Sequence, residues 1–219
     1  MLRHSVRLAV CFLSVCVLGA AQTVRADIVH LTLQSQPGDF IGQGKNFDIT
    51  YDTAQGDTIS AQIRRTLPNG SPAELLWVLF GSPSNPVNEF ALVFFGTDAL
   101  GIPIQPGTYP FARRADFAPP GFAGLDVSFQ NRGSNEVFGS FTISDVTFSP
   151  DLQRILSFDA TFEQHSESPT APALFGRFQF NEPNASTAVP EPSSLALFSF
   201  ASLALVGIGR RGRRITAAQ

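Results

Sequence analysis

The sequence predicts an all-β fold, namely a single antiparallel β-sandwich of the jelly-roll type, with an apolar helix at each end of the chain. The first observation behind this prediction is the alternation of apolar and polar residues with period two in many short segments. The second is the close spacing of Gly, Pro, Asn and Asp between these segments, and the third is the lack of a sustained helical period in the central part. Short strands separated by frequent turns are typical of a β-sandwich or of a sheet closed on itself.

Nine segments of the central part have strand patterns, and two of them are unusually apolar. Residues 75–80 and 90–95 are apolar at successive positions, which predicts central strands covered on both faces, with Trp77 in the core. In chain order, the predicted strands are 28–34, 46–51, 58–64, 75–80, 89–95, 125–129, 137–148, 153–165 and 174–180.

The clearest hairpin joins the two longest strands through residues 149–152, where Pro150 presets the backbone of a turn. The apolar phase slips between Ile143 and Val146, which predicts a β-bulge near Ser144 and Asp145. In the second strand of this hairpin, the alternation predicts a core face of Leu156, Phe158, Ala160 and Phe162 and a solvent face of Asp159, Thr161, Glu163 and His165.

Two segments rich in Pro and Gly lack a strand pattern and are predicted to be loops, at residues 81–87 and 101–124. A loop as long as 101–124 on a small sandwich either covers an exposed sheet edge or binds a ligand, and a cover is the preferred interpretation.

The first 26 residues have the order of a secretory signal peptide. Basic residues near the start precede an apolar run at 8–21, and small or modest side chains at Val24 and Ala26 predict cleavage after Ala26. An earlier cleavage site lies at residues 19–21. The alternative is an uncut membrane anchor, but the run is short for a bilayer core of about 30 Å.

The last part of the chain has three pieces in a fixed order. A linker at 183–192 contains the motif Pro190-Glu191-Pro192, and the apolar residues 193–209 are predicted to form one transmembrane helix. The tail 210–219 is predicted to be cytoplasmic, because arginines resist translocation; these are Arg210, Arg211, Arg213 and Arg214.

This tripartite tail resembles the PEP-CTERM sorting signal of Gram-negative bacteria, and Pro190, Glu191 and Pro192 match the motif that gives the signal its name. The resemblance implies recognition by exosortase, a membrane-embedded Cys-dependent protease, and the signal peptide at the other end predicts signal peptidase as a further partner during sorting. It also implies a protein of the cell envelope, membrane-anchored before processing and then on the outer surface or secreted, and linked to exopolysaccharide and biofilm. A plain C-terminal anchor without processing is the alternative.

Residues 27–182 form the predicted β domain, and they resemble an uncharacterised domain of exported bacterial proteins. The pieces that carry this resemblance are residues 36–44, 162–167 and 173–176. In relatives, cysteines occupy the positions of Ser134 and Ser166, so the resemblance implies that these two serines lie close together.

Charge and cysteine content exclude several classes of function. Residues 27–188 contain 8 basic and 17 acidic side chains, a formal net charge of −9, so no nucleic-acid partner is predicted. Cys11 and Cys16 both lie in the signal peptide, which leaves the β domain without a disulfide or a thiolate metal site.

The motifs of common catalytic sites are missing as well. The domain has only His30 and His165 as imidazole bases, and no Gly-x-Ser-x-Gly sequence is present. Asp48, Asp52 and Asp57 do not have the spacing of a calcium loop. We therefore predict no catalytic residue, no metal ion and no cofactor.

One polar cluster is a candidate for binding or for a structural role. Glu163, His165 and Glu167 alternate at the end of a strand, so the period-two rule places them on one outward face. Arg177, on the predicted outward phase of the last strand, is their expected counter-ion. In the structural interpretation, His165 hydrogen-bonds between carboxylates and fixes the loop from Ser166 to Pro172.

The expected function is therefore that of an exported, non-enzymatic protein of the envelope or extracellular matrix. A polysaccharide-binding module is the first alternative, and a hydrolase is the less favoured second one.

Overall fold

The computed structural model describes residues 26–84 and 90–181 of the chain. Ten strands and three short 3-10 helices occupy these ranges. The signal peptide, the linker, the apolar segment 193–209 and the arginine-rich tail lie outside the described residues. The strands are β1 (Ile28–Ser35), β2 (Asn46–Asp52), β3 (Thr58–Thr66), β4 (Pro72–Phe80), β5 (Phe90–Gly96), β6 (Gly107–Arg114), β7 (Gly124–Phe129), β8 (Val137–Phe148), β9 (Ile155–Ser166) and β10 (Ala173–Phe180).

All ten strands belong to one sheet, in the order β2-β1-β10-β9-β8-β6-β7-β5-β4-β3. Neighbours are antiparallel except for a short parallel pairing of β6 with β7. The sheet rolls over until its two end strands, β2 and β3, contact each other. Its inner faces pack together as the layers of a sandwich do, so the prediction of an all-β fold is confirmed.

The core between the rolled faces is built mainly from aromatic rings. Trp77 of β4 is fully buried, and its ring centroid lies 4.7 Å from that of Phe158 and 4.6 Å from that of Phe178. Phe95 of β5 packs on Phe141 at 5.2 Å. These contacts join β4 and β5 to β8, β9 and β10 on the opposite side, which confirms the predicted core position of Trp77.

The prediction that 101–124 is a loop is wrong, because this segment contains β6. The strand pairs with β8 on one side and β7 on the other. A register shift between Tyr109 and Ala112 breaks the alternation, and Pro110 and Phe111 (φ +58°) lie in the irregular part. A strand interrupted in this way has no period-two pattern to detect.

The apolar strands β4 and β5 are not covered on both faces as predicted. Leu75, Trp77 and Leu79 are buried, whereas the alternate residues Leu76 and Val78 are only half-buried. β4 also lies next to the end strand β3 rather than at the centre of the sheet. Apolar residues on a partly covered outer face therefore gave the same pattern as a central strand.

The hairpin of β8 and β9 is present, and the β-bulge is confirmed by the register shift between Ile143 and Asp145. A second shift lies between Thr147 and Phe148, where Phe148 pairs with Ile155. This shift explains why the prediction for Leu156 is wrong: Leu156 is 40% exposed, and Ile155 is buried in its place. Farther along β9, Phe158, Ala160 and Phe162 are buried as predicted.

Candidate functional site

The predicted polar cluster forms around His165 near the end of β9. Its Nε2 lies 2.9 Å from Glu163 Oε1, and its Nδ1 lies 2.6 Å from the carbonyl oxygen of Ala171. Ala171 belongs to the loop between β9 and β10. His165 therefore links a strand carboxylate to this loop, but its second partner is a backbone carbonyl and not the second carboxylate that the structural interpretation predicted.

Glu167 does not join this pair. It follows the end of β9, its φ is +66°, and its Oε1 accepts a 2.6 Å hydrogen bond from the backbone N–H of Asn135. The period-two rule that placed Glu167 beside His165 holds only within a strand, and the strand ends at Ser166.

Arg177 lies on the outward side of β10, and its carboxylate partner is Asp159. The guanidinium donates two hydrogen bonds to Asp159, from Nε at 2.9 Å and from Nη2 at 2.6 Å. Asp159 is consequently buried, although its position on β9 was predicted to face solvent. Arg177 and Glu163 line the same surface depression, but the bidentate pair is the one with Asp159.

These residues belong to a larger arrangement that we call the outer groove, which crosses the outward face of β1, β10, β9, β8 and β6. Residues that are directly opposite each other on neighbouring strands form rows across this face. The first row is Thr32, Arg177, Thr161, Thr142 and Thr108. The second row is Gln34, Phe175, Glu163 and Ser140, and the third is His165, Phe138 and Arg113.

The groove consists of two shallow depressions that share Ser140 and Glu163. One, of about 410 Å³, lies over the first two rows. The other, of about 420 Å³, lies over the second and third rows and is bordered by Pro110, Phe111 and Pro169. The shared residues make the two depressions one continuous surface.

The charged side chains of the groove are engaged by neighbours. Besides the pairs of Arg177 with Asp159 and of His165 with Glu163, the guanidinium of Arg113 lies over the rings of Phe122 and Phe138, at 4.8 Å and 4.7 Å from their centroids. What the groove presents to a ligand is therefore mainly hydroxyl groups and aromatic surface. Phe175 is 37% exposed and Phe111 is 71% exposed.

A second polar site, which the sequence analysis missed, surrounds Glu74 on the other half of the sheet. The Glu74 side chain is fully buried, and its Oε2 lies 3.3 Å from Arg65 Nε and 3.6 Å from Arg64 Nε. Neither of its oxygens accepts a hydrogen bond from a described residue. Burial raises the pKa of the Glu74 carboxyl above its ordinary value, against the opposing effect of Arg65 and Arg64.

The arginines beside Glu74 also hold two connecting segments. Arg65 Nη1 donates to Asp98 Oδ2 at 2.7 Å, and Arg64 donates to Asp116. Asp98 and Asp116 lie in 3-10 helices, at Asp98–Leu100 and Ala115–Phe117. The hydrogen bond from Arg64 lowers the pKa of Asp116. This ionic cluster fixes the segments on both sides of β6 against β3 and β4.

The sequence contained a sign of this cluster. A single glutamate stands in the otherwise apolar run 73–80, and the preceding predicted strand, 58–64, ends at Arg64, which Arg65 follows directly. A buried acid of this kind requires a cation nearby. Within 26–84 and 90–181, however, no group of three or more acidic, His or Cys side chains is arranged to hold a metal ion.

The described ranges also contain no helix long and apolar enough to cross a membrane. Comparison with family models matched the PEP-CTERM protein-sorting motif to residues 188–214. The matched range includes the Pro-Glu-Pro sequence and all four arginines of the tail. Comparisons with the curated proteins and with the solved structures found no match for this chain.

Proposed function

Because this chain carries a PEP-CTERM sorting motif and is an exported protein that exosortase sorts, we propose that it is a non-enzymatic component of the cell envelope or extracellular matrix. Signal peptidase removes the first 26 residues, and exosortase then processes the chain near the Pro-Glu-Pro sequence. The β domain reaches the outer surface or the medium and associates there with exopolysaccharide of the biofilm.

The observation that carries this proposal is the sorting motif at 188–214, which follows a domain with a net charge of −9. An acidic surface keeps a domain soluble outside the cell and repels polyanions. The ionic cluster around Glu74 supports a structural role, since its carboxylate is fully buried and lies beside Arg64 and Arg65.

A polysaccharide-binding module is the second candidate, and the outer groove favours it. Polar side chains and partly exposed aromatic rings in its two adjoining depressions provide the contacts that sugars require. A hydrolase remains the least supported alternative. It would release reducing ends from isolated exopolysaccharide, which a binding module would not do.

Exosortase sorting is tested by intact-mass measurement in a host that contains exosortase. We expect the wild-type chain in the extracellular or matrix fraction, without the segment that follows about residue 192. A variant with Pro190, Glu191 and Pro192 all replaced by Ala should stay in the membrane at the mass of the unprocessed tail.

The control for this experiment is Pro183→Ala, which removes a proline of the linker outside the matched range. It should behave as the wild type. A wild-type envelope form that retains residues 193–219 would contradict the proposal.

A further inference from the structure

We propose that the outer groove binds an uncharged polysaccharide whose chain runs across the strands, along the row that contains Thr32, Thr161 and Thr142, with Phe175 as its stacking platform. This inference rests on the proposed function and specifies the class of polymer and its direction on the surface.

The direction follows from the register of the strands. Thr32, Arg177, Thr161, Thr142 and Thr108 are successive cross-strand partners on β1, β10, β9, β8 and β6. Neighbouring strands lie roughly 4.8 Å apart, so the row extends over roughly 19 Å. A polymer lying across the strands meets a side chain of this row at regular steps, whereas a polymer parallel to one strand meets the hydroxyls of that strand only.

The chemistry of the row fits sugar hydroxyl groups. A threonine hydroxyl both donates and accepts hydrogen bonds, as a sugar hydroxyl does. Among the residues that the structure describes, the only side-chain hydrogen bond within the threonines of this row joins Thr108 to Thr142, at 3.1 Å. Thr161 is exposed and lies in the row between Thr142 and Arg177.

The aromatic platform lies one row away from the threonines. Phe175 is 37% exposed and is flanked by Gln34 on β1 and Glu163 on β9. Its ring presents apolar surface next to polar groups, and this combination suits the C–H face of a sugar ring with hydroxyls at its edge.

The charges of the groove favour an uncharged polymer. Arg177 is bound in a bidentate pair by Asp159, and Glu163 stands at the middle of the groove, where both depressions meet. A polyuronate would place carboxylates next to Glu163 and would approach a domain with a net charge of −9. Repulsion between like charges opposes the association of an acidic polymer with this surface.

The test measures retention of the purified full chain in detergent on three insoluble polymers. Microcrystalline cellulose and curdlan are the uncharged probes, and calcium-gelled polygalacturonate is the acidic one. We expect saturable binding to at least one uncharged glucan, weaker binding to the polyuronate, and a loss of about tenfold or more in affinity for Phe175→Ala. The double variant Thr142→Val/Thr161→Val, which keeps side-chain volume, should lose affinity several-fold.

Matched controls lie on the other half of the sheet. Phe80→Ala removes a ring that is 46% exposed on β4, and Thr58→Val removes an exposed hydroxyl on β3. Both should bind as the wild type does, and thermal unfolding of every variant verifies that it is folded.

Three results would overturn the inference. They are no retention on either glucan, preferential retention on polygalacturonate, or groove variants that bind as tightly as the controls. Binding to exopolysaccharide isolated from the host is measured in parallel with the same variants. If the groove variants bind the host polymer as the wild type does, the groove is not the binding site, but the proposed function still stands. If the wild type does not bind the host polymer, the proposed association with exopolysaccharide is wrong.

Discussion

The fully buried side chain of Gln164 completes hydrogen bonds that the sheet leaves open. Its Oε1 accepts from the backbone N–H of Val127 at 2.8 Å, and its Nε2 donates to the Val127 carbonyl at 3.0 Å. β7 pairs with β6 only at Gly124 and Leu125, so Val127 lies beyond this pairing. The Gln164 amide takes the place of the missing neighbour strand, as buried backbone groups require a partner.

We therefore expect Gln164→Leu to lower the free energy of unfolding by about 2 to 4 kcal/mol, because it leaves a buried N–H and a buried C=O without partners. The matched control is Gln62→Leu at an exposed position of β3, which should change the free energy by less than about 0.5 kcal/mol. Urea unfolding of the three proteins measures the difference. Equal midpoints for Gln164→Leu and the wild type would contradict this role.

The Glu74 cluster predicts opposite pH effects for two acids. Burial raises the pKa of Glu74, so the protonated side chain contributes to the stability of the fold at low pH. This contribution is lost as pH rises above about 4. The hydrogen bond from Arg64 lowers the pKa of Asp116, so its contribution is present above the ordinary Asp range and is lost as pH falls. Relative to wild type, Glu74→Gln should become more stable as pH rises from about 4, and Asp116→Asn less stable.

Chemical unfolding at several pH values between about 3 and 8 measures these two differences. For each variant, the difference in free energy of unfolding from the wild type is plotted against pH. The sign of the slope of this plot is the decisive quantity, and each variant serves as the other's control. Slopes of the same sign would show that the two carboxyls do not differ in environment as the structure indicates.

At the scale of the elements, strands with undisturbed alternation were predictable. β1 and β2 have regular alternation of exposed and buried residues, and the bulge of β8 left a visible slip in the apolar phase. β6 could not be predicted, because its bulge and Pro110 remove the alternation.

In the candidate site, the contact of His165 with Glu163 followed from the period of one strand. The partner of Arg177 and the rows of the groove depend on register between strands, which a single sequence does not encode locally.

The loop before β8 and the end of β9 are joined by Ser134 and Ser166, the two serines that were predicted to lie close together. Ser134 and Ser166 are both buried, and their Oγ atoms lie 2.7 Å apart, which confirms the predicted proximity. We expect Ser134→Cys/Ser166→Cys to form a disulfide spontaneously and to raise the free energy of unfolding by about 3 kcal/mol. Mass spectrometry of non-reduced peptides and unfolding with and without reductant measure both effects.

The control is the double variant Ser134→Cys/Ser168→Cys. Ser168 lies past the end of β9, and its hydroxyl is hydrogen-bonded to Thr170 rather than to Ser134. It should retain two free thiols under the same conditions. Free thiols in the folded 134/166 variant would contradict the proximity of the two side chains.

At the scale of the whole molecule, the antiparallel pairing of β1 with β10 brings the two ends of the described domain together. The Asp27 carboxylate accepts a 2.9 Å hydrogen bond from Asn181 Nδ2, and the Asn181 backbone N–H donates to the carbonyl of Ile28 at 2.9 Å. The chain therefore enters and leaves the domain at the same end of β1 and β10. The two proposed cleavage sites, after Ala26 and near residue 192, lie outside the sequence range from Asp27 to Asn181 that these contacts join.

This arrangement bears on the signal-peptide cleavage site. Asp27 donates its backbone N–H to Thr53 Oγ1 at 2.9 Å, so the residue directly after Ala26 takes part in the hydrogen bonds of the domain. Cleavage there leaves all of these contacts in the mature protein, because the new amino group of Asp27 retains its donor capacity. We expect a mature N-terminus at Asp27, determined by intact mass and N-terminal sequencing of the exported protein.

Two substitutions at Ala26 make this prediction specific. Signal peptidase requires a small side chain before the cleaved bond, so Ala26→Leu should move cleavage to the site at 19–21 or leave the signal peptide attached. Ala26→Gly keeps a small side chain and should give the N-terminus of the wild type. A wild-type protein that begins at Gln22 would show instead that the earlier site is used, and the Ala26→Leu variant would then be processed as the wild type is.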